Sequence, residues 1–154
     1  DGGWEPVMDA IRSSEELLAA TLSGDEKKVA GMIEQVHQEN VSILKYNDEN
    51  SLSCIISLAF YSAKKEYSIY RELAGGKGYA DPRANAGNRP AMIIELKYNQ
   101  SAETALKQIK EKQYIQSLKD YKGEVVIAGI SYDASDNKNG QFKKHTCKIE
   151  KLTL

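Results

Sequence analysis

Residues 91–98 read Ala-Met-Ile-Ile-Glu-Leu-Lys-Tyr, and this stretch decides the fold. It opens with a continuous apolar run, which is typical of a strand covered on both faces. Two charged residues then follow, Glu95 and Lys97, with one residue between them. Because alternate side chains of a strand share a face, both are predicted to project the same way from the end of a buried strand. A buried charge without a partner is costly, so the two residues are expected to be paired or functional.

A second acidic residue, Asp81, stands fourteen residues before Glu95, directly after Gly78-Tyr79-Ala80. An acidic residue, a gap and then Glu-x-Lys at a strand end form the pattern of a metal-dependent phosphodiesterase site. The alternative interpretation is a structural salt bridge at the strand end, because Glu-x-Lys occurs by chance in many soluble proteins. The residues alone leave both interpretations open.

Composition limits the class of protein. The chain has 154 residues, of which 41% are hydrophobic and 28% charged, as expected for one globular domain with a real core. A formal net charge of −1 does not favour nucleic acid as a partner of the whole surface, so such binding would need a local basic patch. No apolar run approaches the roughly 20 residues that cross a bilayer.

The chain starts without Met and without a basic, apolar signal segment, so we expect a fragment of a longer cytoplasmic protein. Its two cysteines, Cys54 and Cys147, have no metal-ligand partners nearby in sequence. Both are predicted to be reduced and buried, which is consistent with the cytosol. His37 has no second histidine near it in sequence and is predicted to lie at the surface or its boundary.

Hydrophobic periodicity predicts the order of elements. Three helices come first, over residues 4–22, from about residue 26, and from the polar segment 47–51. A strand over 66–72, a tight turn over 74–78, a second strand around Tyr79-Ala80-Asp81 and the strand at 92–97 follow. A helix from Ser101 to about Leu118 then leads to strands over 124–130 and 142–152. A helix between two strands predicts a right-handed parallel crossover, and the first three strands predict an antiparallel or mixed meander.

Several motifs in this order resemble a known family. Asp81, then Ile94-Glu95-Leu96-Lys97, then a helix that carries Gln108, resemble the PD-(D/E)XK nuclease superfamily. From about Leu44 onwards the chain is similar, more narrowly, to the nuclease-like domain at the C-terminus of bacterial AAA-ATPase-like proteins. The segments that carry this closer resemblance are Asn50-Ser51-Leu52, Arg71-Glu72-Leu73, residues 76–81 (Gly-Lys-Gly-Tyr-Ala-Asp), Glu95-Leu96-Lys97, Ser101-Ala102-Glu103, Gln108-Ile109-Lys110 and Gly129-Ile130-Ser131-Tyr132.

The resemblance implies an α/β protein with a restriction-endonuclease-like α/β/α core, a mixed central sheet and preceding N-terminal helices. It divides the chain into a nuclease-like domain, residues 44–154, and a helical linker segment, residues 1–43. That segment would join the domain to an N-terminal ATPase-like domain of the full-length bacterial protein.

The resemblance also implies a nuclease that cleaves phosphodiester bonds in DNA or RNA with Mg²⁺ or Mn²⁺. By position, Asp81 and Glu95 would ligate the metal, and Lys97 would orient the attacking water or stabilise charge on the phosphate. Gln108 matches a helix glutamine that supports the site. Glu49 and Glu72 match acidic positions that help to bind metal. The carboxylate oxygens suit Mg²⁺, and such a site requires Asp81 and Glu95 to approach within about 4–5 Å of each other.

One departure from the family bears on this function. The family has several apolar strand residues after the aspartate, whereas here Pro82 follows Asp81 immediately. The shortened strand and the near-neutral charge favour an alternative function. In that alternative the chain is a catalytically inactive nuclease-fold module, which binds nucleic acid or regulates the attached ATPase-like domain.

Overall fold

The computed structural model describes residues 4–40, 48–83, 89–112, 114–118, 121, 123–133 and 144–154. Its helices are α1 (Glu5–Ser23), α2 (Glu26–Glu39), α3 (Glu49–Ala59) and α4 (Ala102–Glu111), and short 3₁₀ helices lie at Tyr61–Lys65 and Tyr114–Leu118. Its strands are β1 (Ser68–Leu73), β2 (Gly76–Ala80), β3 (Ala91–Tyr98), β4 (Glu124–Tyr132) and β5 (His145–Thr153). Within these described ranges, no helix is long and apolar enough to cross a membrane.

The five strands form one sheet in the order β1-β2-β3-β4-β5. β1, β2 and β3 pair antiparallel, β3 and β4 pair parallel, and β5 returns antiparallel to β4. The predicted antiparallel meander and the predicted parallel crossover through α4 are therefore confirmed. The mixed sheet with preceding helices confirms the predicted α/β class and is consistent with a restriction-endonuclease-like fold.

Helices cover both faces of the sheet. Met92, Ile94 and Leu96 of β3 pack in a cluster with buried residues of α1, α2 and α3. Ala91 and Ile93 point to the other face, where they pack with residues of α4 and of the second 3₁₀ helix. All five residues are fully buried, which explains the continuous apolar run that opens this strand.

The N-terminal helices take part in this core. Leu17 of α1 and both Val29 and Ile33 of α2 are buried in the same cluster as β3. α2 also covers β5, because Glu26 accepts a hydrogen bond from the backbone of Ile149 and Glu34 accepts one from the backbone of His145. The predicted domain boundary near residue 43 lies outside the described residues, so the division of the chain stays a prediction.

The second strand differs from its prediction. β2 starts at Gly76 and ends at Ala80, whereas the sequence predicted a turn over 74–78 and a strand through Asp81. The turn is tighter, since Gly75 with a φ of +89° reverses the chain beside Ala74. Pro82 has no backbone N–H to continue the ladder after Asp81, so β2 draws its pairing residues from the segment before Tyr79.

Three smaller predictions are also wrong. Cys54 is exposed rather than buried, although Cys147 is buried and both are free thiols as expected. His37 was predicted at the surface or its boundary, but it is buried with 1% exposure. It packs against a residue of β5 that is distant in sequence. The helix predicted to reach Leu118 ends at Glu111, and a 3₁₀ helix completes the segment.

Candidate active site at the end of β3

Glu95 occupies a place on β3 where both neighbouring strands carry glycine. Its paired residues are Gly76 in β2 and Gly129 in β4, so no side chain from either strand competes with its carboxylate. Glu95 points to the face that α4 covers and is 0% exposed. Glycine on both neighbouring strands thus leaves Glu95 as the side chain at this position of the three strands.

The Glu95 carboxylate has a close ammonium neighbour but is not fully hydrogen-bonded by the described residues. The Lys97 ammonium lies 3.1 Å from Glu95 Oε1, so the two residues are paired, which is one of the two outcomes that the sequence left open. The Lys97 contact at Oε1 is short but poorly aligned as a hydrogen bond, and Oε2 has no hydrogen-bond partner among the described residues. Burial raises the pKa of the Glu95 carboxyl, the Lys97 and Lys112 ammonium groups oppose this shift, and the negative charge of Glu49 adds to it.

Three residues join this region that the sequence did not single out as functional. Lys112, one turn after Gln108, acts electrostatically on Glu95. Tyr114 begins the second 3₁₀ helix, and burial raises its pKa, with the negative charge of Glu95 adding to the effect. The Arg71 guanidinium lies 4.9 Å from the centre of the Tyr114 ring. Lys112 could have been found from the sequence, because it lies one helical turn after Gln108. Tyr114 follows the end of the helix, where hydrophobic periodicity does not indicate which residues face the site.

Asp81 lies far from Glu95. Gly76 is the residue of β2 opposite Glu95, and Asp81 comes five residues later, which is about 16 Å further along the strand direction. Its carboxylate accepts hydrogen bonds from the backbone N, Nε and Nη2 of Arg83, at 2.9, 3.0 and 3.1 Å. These hydrogen bonds lower the pKa of Asp81. The structure does not bring Asp81 and Glu95 together as a shared cation site requires, because β2 ends at Ala80, before Asp81 can face β3. The expected metal-binding role of Asp81 stays a prediction.

Asp81 instead belongs to a charged network beside the β2–β3 connection. Arg83 Nη2 lies 3.2 Å from Glu66 Oε2, and Arg89 pairs with the same carboxylate from the other end of the connection. Tyr67 OH donates to the carbonyl oxygen of Pro90 at 2.7 Å. The network ties both ends of the connection to the segment after the first 3₁₀ helix.

The other predicted site residues, Glu72, Gln108 and Glu49, lie in three different surroundings. Glu72 pairs with Lys77 across β1 and β2, and their side chains form an ion pair of 2.6 Å on the face opposite Glu95. The structure therefore does not bring Glu72 to Glu95, and its expected role in metal binding stays a prediction. Gln108 Nε2 donates to Gln100 Oε1 at 3.2 Å rather than to Glu95. Glu49 is the first residue of α3, where Asp48 provides the N-cap.

A divalent cation needs carboxylate oxygens that no other group has taken. Glu95 meets this condition at Oε2, which is buried and has no hydrogen-bond partner among the described residues, whereas Lys97 lies against Oε1. Asp81 does not, because Arg83 occupies its oxygens. No group of three or more His, Cys, Asp or Glu side chains in the described part of the chain could hold a metal. Mg²⁺ often takes only one or two carboxylates and keeps several waters, and Glu49 is a second carboxylate whose charge acts on Glu95.

Comparison with known proteins gives one match. A family model described as the PD-(D/E)XK nuclease superfamily matches residues 47–142, which is well over half of the chain. No curated protein and no solved structure matches the chain. The matched stretch includes Glu49, Asp81, Glu95, Lys97 and Gln108, whereas α1 and α2 precede it.

Proposed function

The chain belongs to the PD-(D/E)XK nuclease superfamily, and from this we propose that it cleaves phosphodiester bonds in nucleic acid with a divalent cation, Mg²⁺ or Mn²⁺. One observation carries the proposal. The Glu95 carboxylate is fully buried, has no hydrogen bond from the described residues, and has the Lys97 ammonium 3.1 Å away. Such a carboxylate favours a further cation, because the single Lys97 contact leaves its second oxygen unsatisfied and incomplete compensation of a buried charge is costly.

The chain's own residues have distinct roles in this proposal. Glu95 and Glu49 would hold the cation, which when bound would acidify a water molecule and neutralise charge on the phosphate. Lys97 would orient the attacking water and donate to the phosphate oxygens as negative charge accumulates. Asp81 has a structural role in the β2–β3 connection and no part in the reaction.

A second candidate function is a catalytically silent nuclease-fold module. Two observations favour it: Asp81 is held by Arg83 away from the site, and Glu95 is 0% exposed. Such a module would bind nucleic acid through Lys97, Lys112 and Arg71, or would regulate an attached ATPase-like domain through protein contacts. Both candidates have the same fold and differ in whether the site cleaves nucleic acid.

Variants of Glu95 and Lys97, with a second lysine variant as the control, test the leading proposal. Labelled single-stranded and double-stranded DNA and RNA are incubated with the protein and Mg²⁺ or Mn²⁺. We expect Glu95→Gln and Lys97→Ala to lower the rate about 100-fold or more, because each removes a group that acts on developing charge. Lys107→Ala is the control, since Lys107 is exposed on α4 and its ion pair is with Glu111, one turn away on the same helix. Cleavage that persists unchanged in Glu95→Gln rules the proposal out.

The same proteins separate the two candidates. If the wild type does not cleave but binds DNA or RNA, and this binding weakens as salt rises, the silent module is supported. Absence of both cleavage and binding points to a protein partner instead. Asp81→Asn is a further arm of the assay: retention of cleavage supports the structural role of Asp81, and loss of cleavage restores the role that the family resemblance implies.

A further inference from the structure

The only two histidines of the chain contact each other, although 108 positions separate them. His37 lies near the end of α2 and His145 is the first residue of β5. His37 Nδ1 is 2.7 Å from His145 Nε2, and the two residues are 1% and 5% exposed. The contact therefore joins an N-terminal helix to the edge strand of the sheet in a buried place.

Three described elements face the histidine pair. On α2, Glu34 Oε1 accepts a hydrogen bond from the His145 backbone at 2.8 Å and lies 3.7 Å from His145 Nδ1. On β4, the Tyr132 ring packs against both imidazoles, with ring centres 4.7 and 4.9 Å away. On β3, Tyr98 packs against Tyr132. Burial raises the pKa of Tyr132, so this phenol stays neutral, and among the described residues Glu34 is the charged group next to the pair.

A proton count limits the charge that this contact can carry. A hydrogen bond between two imidazole nitrogens requires one of them to carry a hydrogen and the other to offer a lone pair. The pair satisfies this when both rings are neutral or when one ring is charged. A second added proton places two N–H groups face to face and brings two positive charges together within a buried contact, which is costly.

We propose that the histidine pair is a pH-sensitive contact, which docks α2 on β5 when it carries at most one charge and separates when both rings are protonated. α2 also supplies Glu26 and Glu34 to the backbone N–H groups of β5. Separation therefore uncovers an edge strand, which is a surface open to pairing with another chain.

The direction of the pH effect follows from the unfolded chain. Free histidines protonate near pH 6.5, so below this pH the unfolded state takes up two protons while the folded pair accepts one. Stability consequently falls as the pH decreases below about 6.5. When the unfolded chain binds one more proton than the folded protein, the unfolding equilibrium constant rises up to about tenfold for each unit by which the pH falls.

Nuclear magnetic resonance tests the pair directly, because uniformly ¹⁵N-labelled protein gives imidazole signals from only two residues. We expect a titration from pH 8 to pH 5 to show two coupled steps that both histidines report. The second step should coincide with changes in the amide signals of α2 and β5. Independent single-step titrations of the two rings near pH 6.5 would overturn the proposal.

Unfolding of His37→Gln and His145→Gln provides the second measurement, since glutamine keeps a donor and an acceptor but does not titrate. Wild type and variants carry the same carboxylates, so the difference between them isolates the histidines. We expect each variant to lose the additional tenfold change per pH unit between pH 6.5 and 5. Equal slopes in all three proteins would contradict the proposal, and the wild-type titration decides alone if a variant fails to fold.

Discussion

At the scale of single residues, Asp81 follows the short strand β2 and is held by Arg83 beside the β2–β3 connection. Its carboxylate receives three hydrogen bonds from Arg83, which lower its pKa below the ordinary value of 3.8. A folded-state pKa below the unfolded value contributes stability above pH 3.8, and this contribution is lost as the pH falls through the folded-state pKa. Asp81 is therefore expected to stabilise the neutral-pH protein.

The variant Asp81→Asn tests this at the residue scale. We expect a lower free energy of unfolding at pH 7, because the amide cannot accept from all three donors, and a smaller difference from the wild type at pH 3. Urea unfolding at both pH values measures the two differences. Asp9→Asn is the control, since Asp9 is 72% exposed and its pairing with Arg12 should contribute little. A difference that stays constant with pH contradicts the structural role.

The sequence predicts contacts between side chains well where the argument is local. Glu95 and Lys97 share a face because they are two residues apart on one strand, and their ion pair was predictable for that reason. Asp81 and Glu72 depend on how β2 pairs with its neighbours, and this register changes with the position of Pro82. His37 depends on a partner 108 residues away. Periodicity in one segment does not contain either kind of information.

At the scale of elements, the type and order of the helices and strands follow from periodicity, whereas their packing distance depends on single small residues. α4 approaches β4 closely at Gly129. A Cβ added there would lie 2.6 Å from the carbonyl oxygen of Ala102 and 2.7 Å from the backbone N of Leu106. Both contacts are with helix backbone, so the helix would have to move away from the sheet.

Gly129→Ala and Gly31→Ala form a matched pair of variants. We expect Gly129→Ala to lower the free energy of unfolding by about 1–3 kcal/mol, as overpacking does in other cores. Gly31 lies in α2 with nothing within 4 Å of its added Cβ, and alanine there should raise stability by about 0.5–1 kcal/mol through helix propensity. Urea unfolding measures both values. Equal effects of the two substitutions would contradict the close approach of α4 to β4.

The molecule as a whole is organised around one core shared by parts before and after the predicted boundary at residue 43. Leu17, Val29 and Ile33 are fully buried with the strands of the sheet. Burial of three such aliphatic side chains contributes about 5–9 kcal/mol. This is comparable with the whole net stability of a typical domain, so removal of α1 and α2 should affect the entire fold.

Truncation tests this at the scale of the molecule. We expect a fragment of residues 44–154 to lose cooperative thermal unfolding and dispersed amide signals, because the sheet face under α1 and α2 becomes exposed. A fragment of residues 13–154 is the control. The described residues that it removes are exposed or only partly buried, so its free energy of unfolding should stay within about 1 kcal/mol of the full chain. Circular dichroism and proton NMR compare the three proteins. If residues 44–154 unfold cooperatively at a similar temperature, the sheet and the helices after residue 44 are autonomous, and α1 and α2 form a linker segment as the sequence predicts.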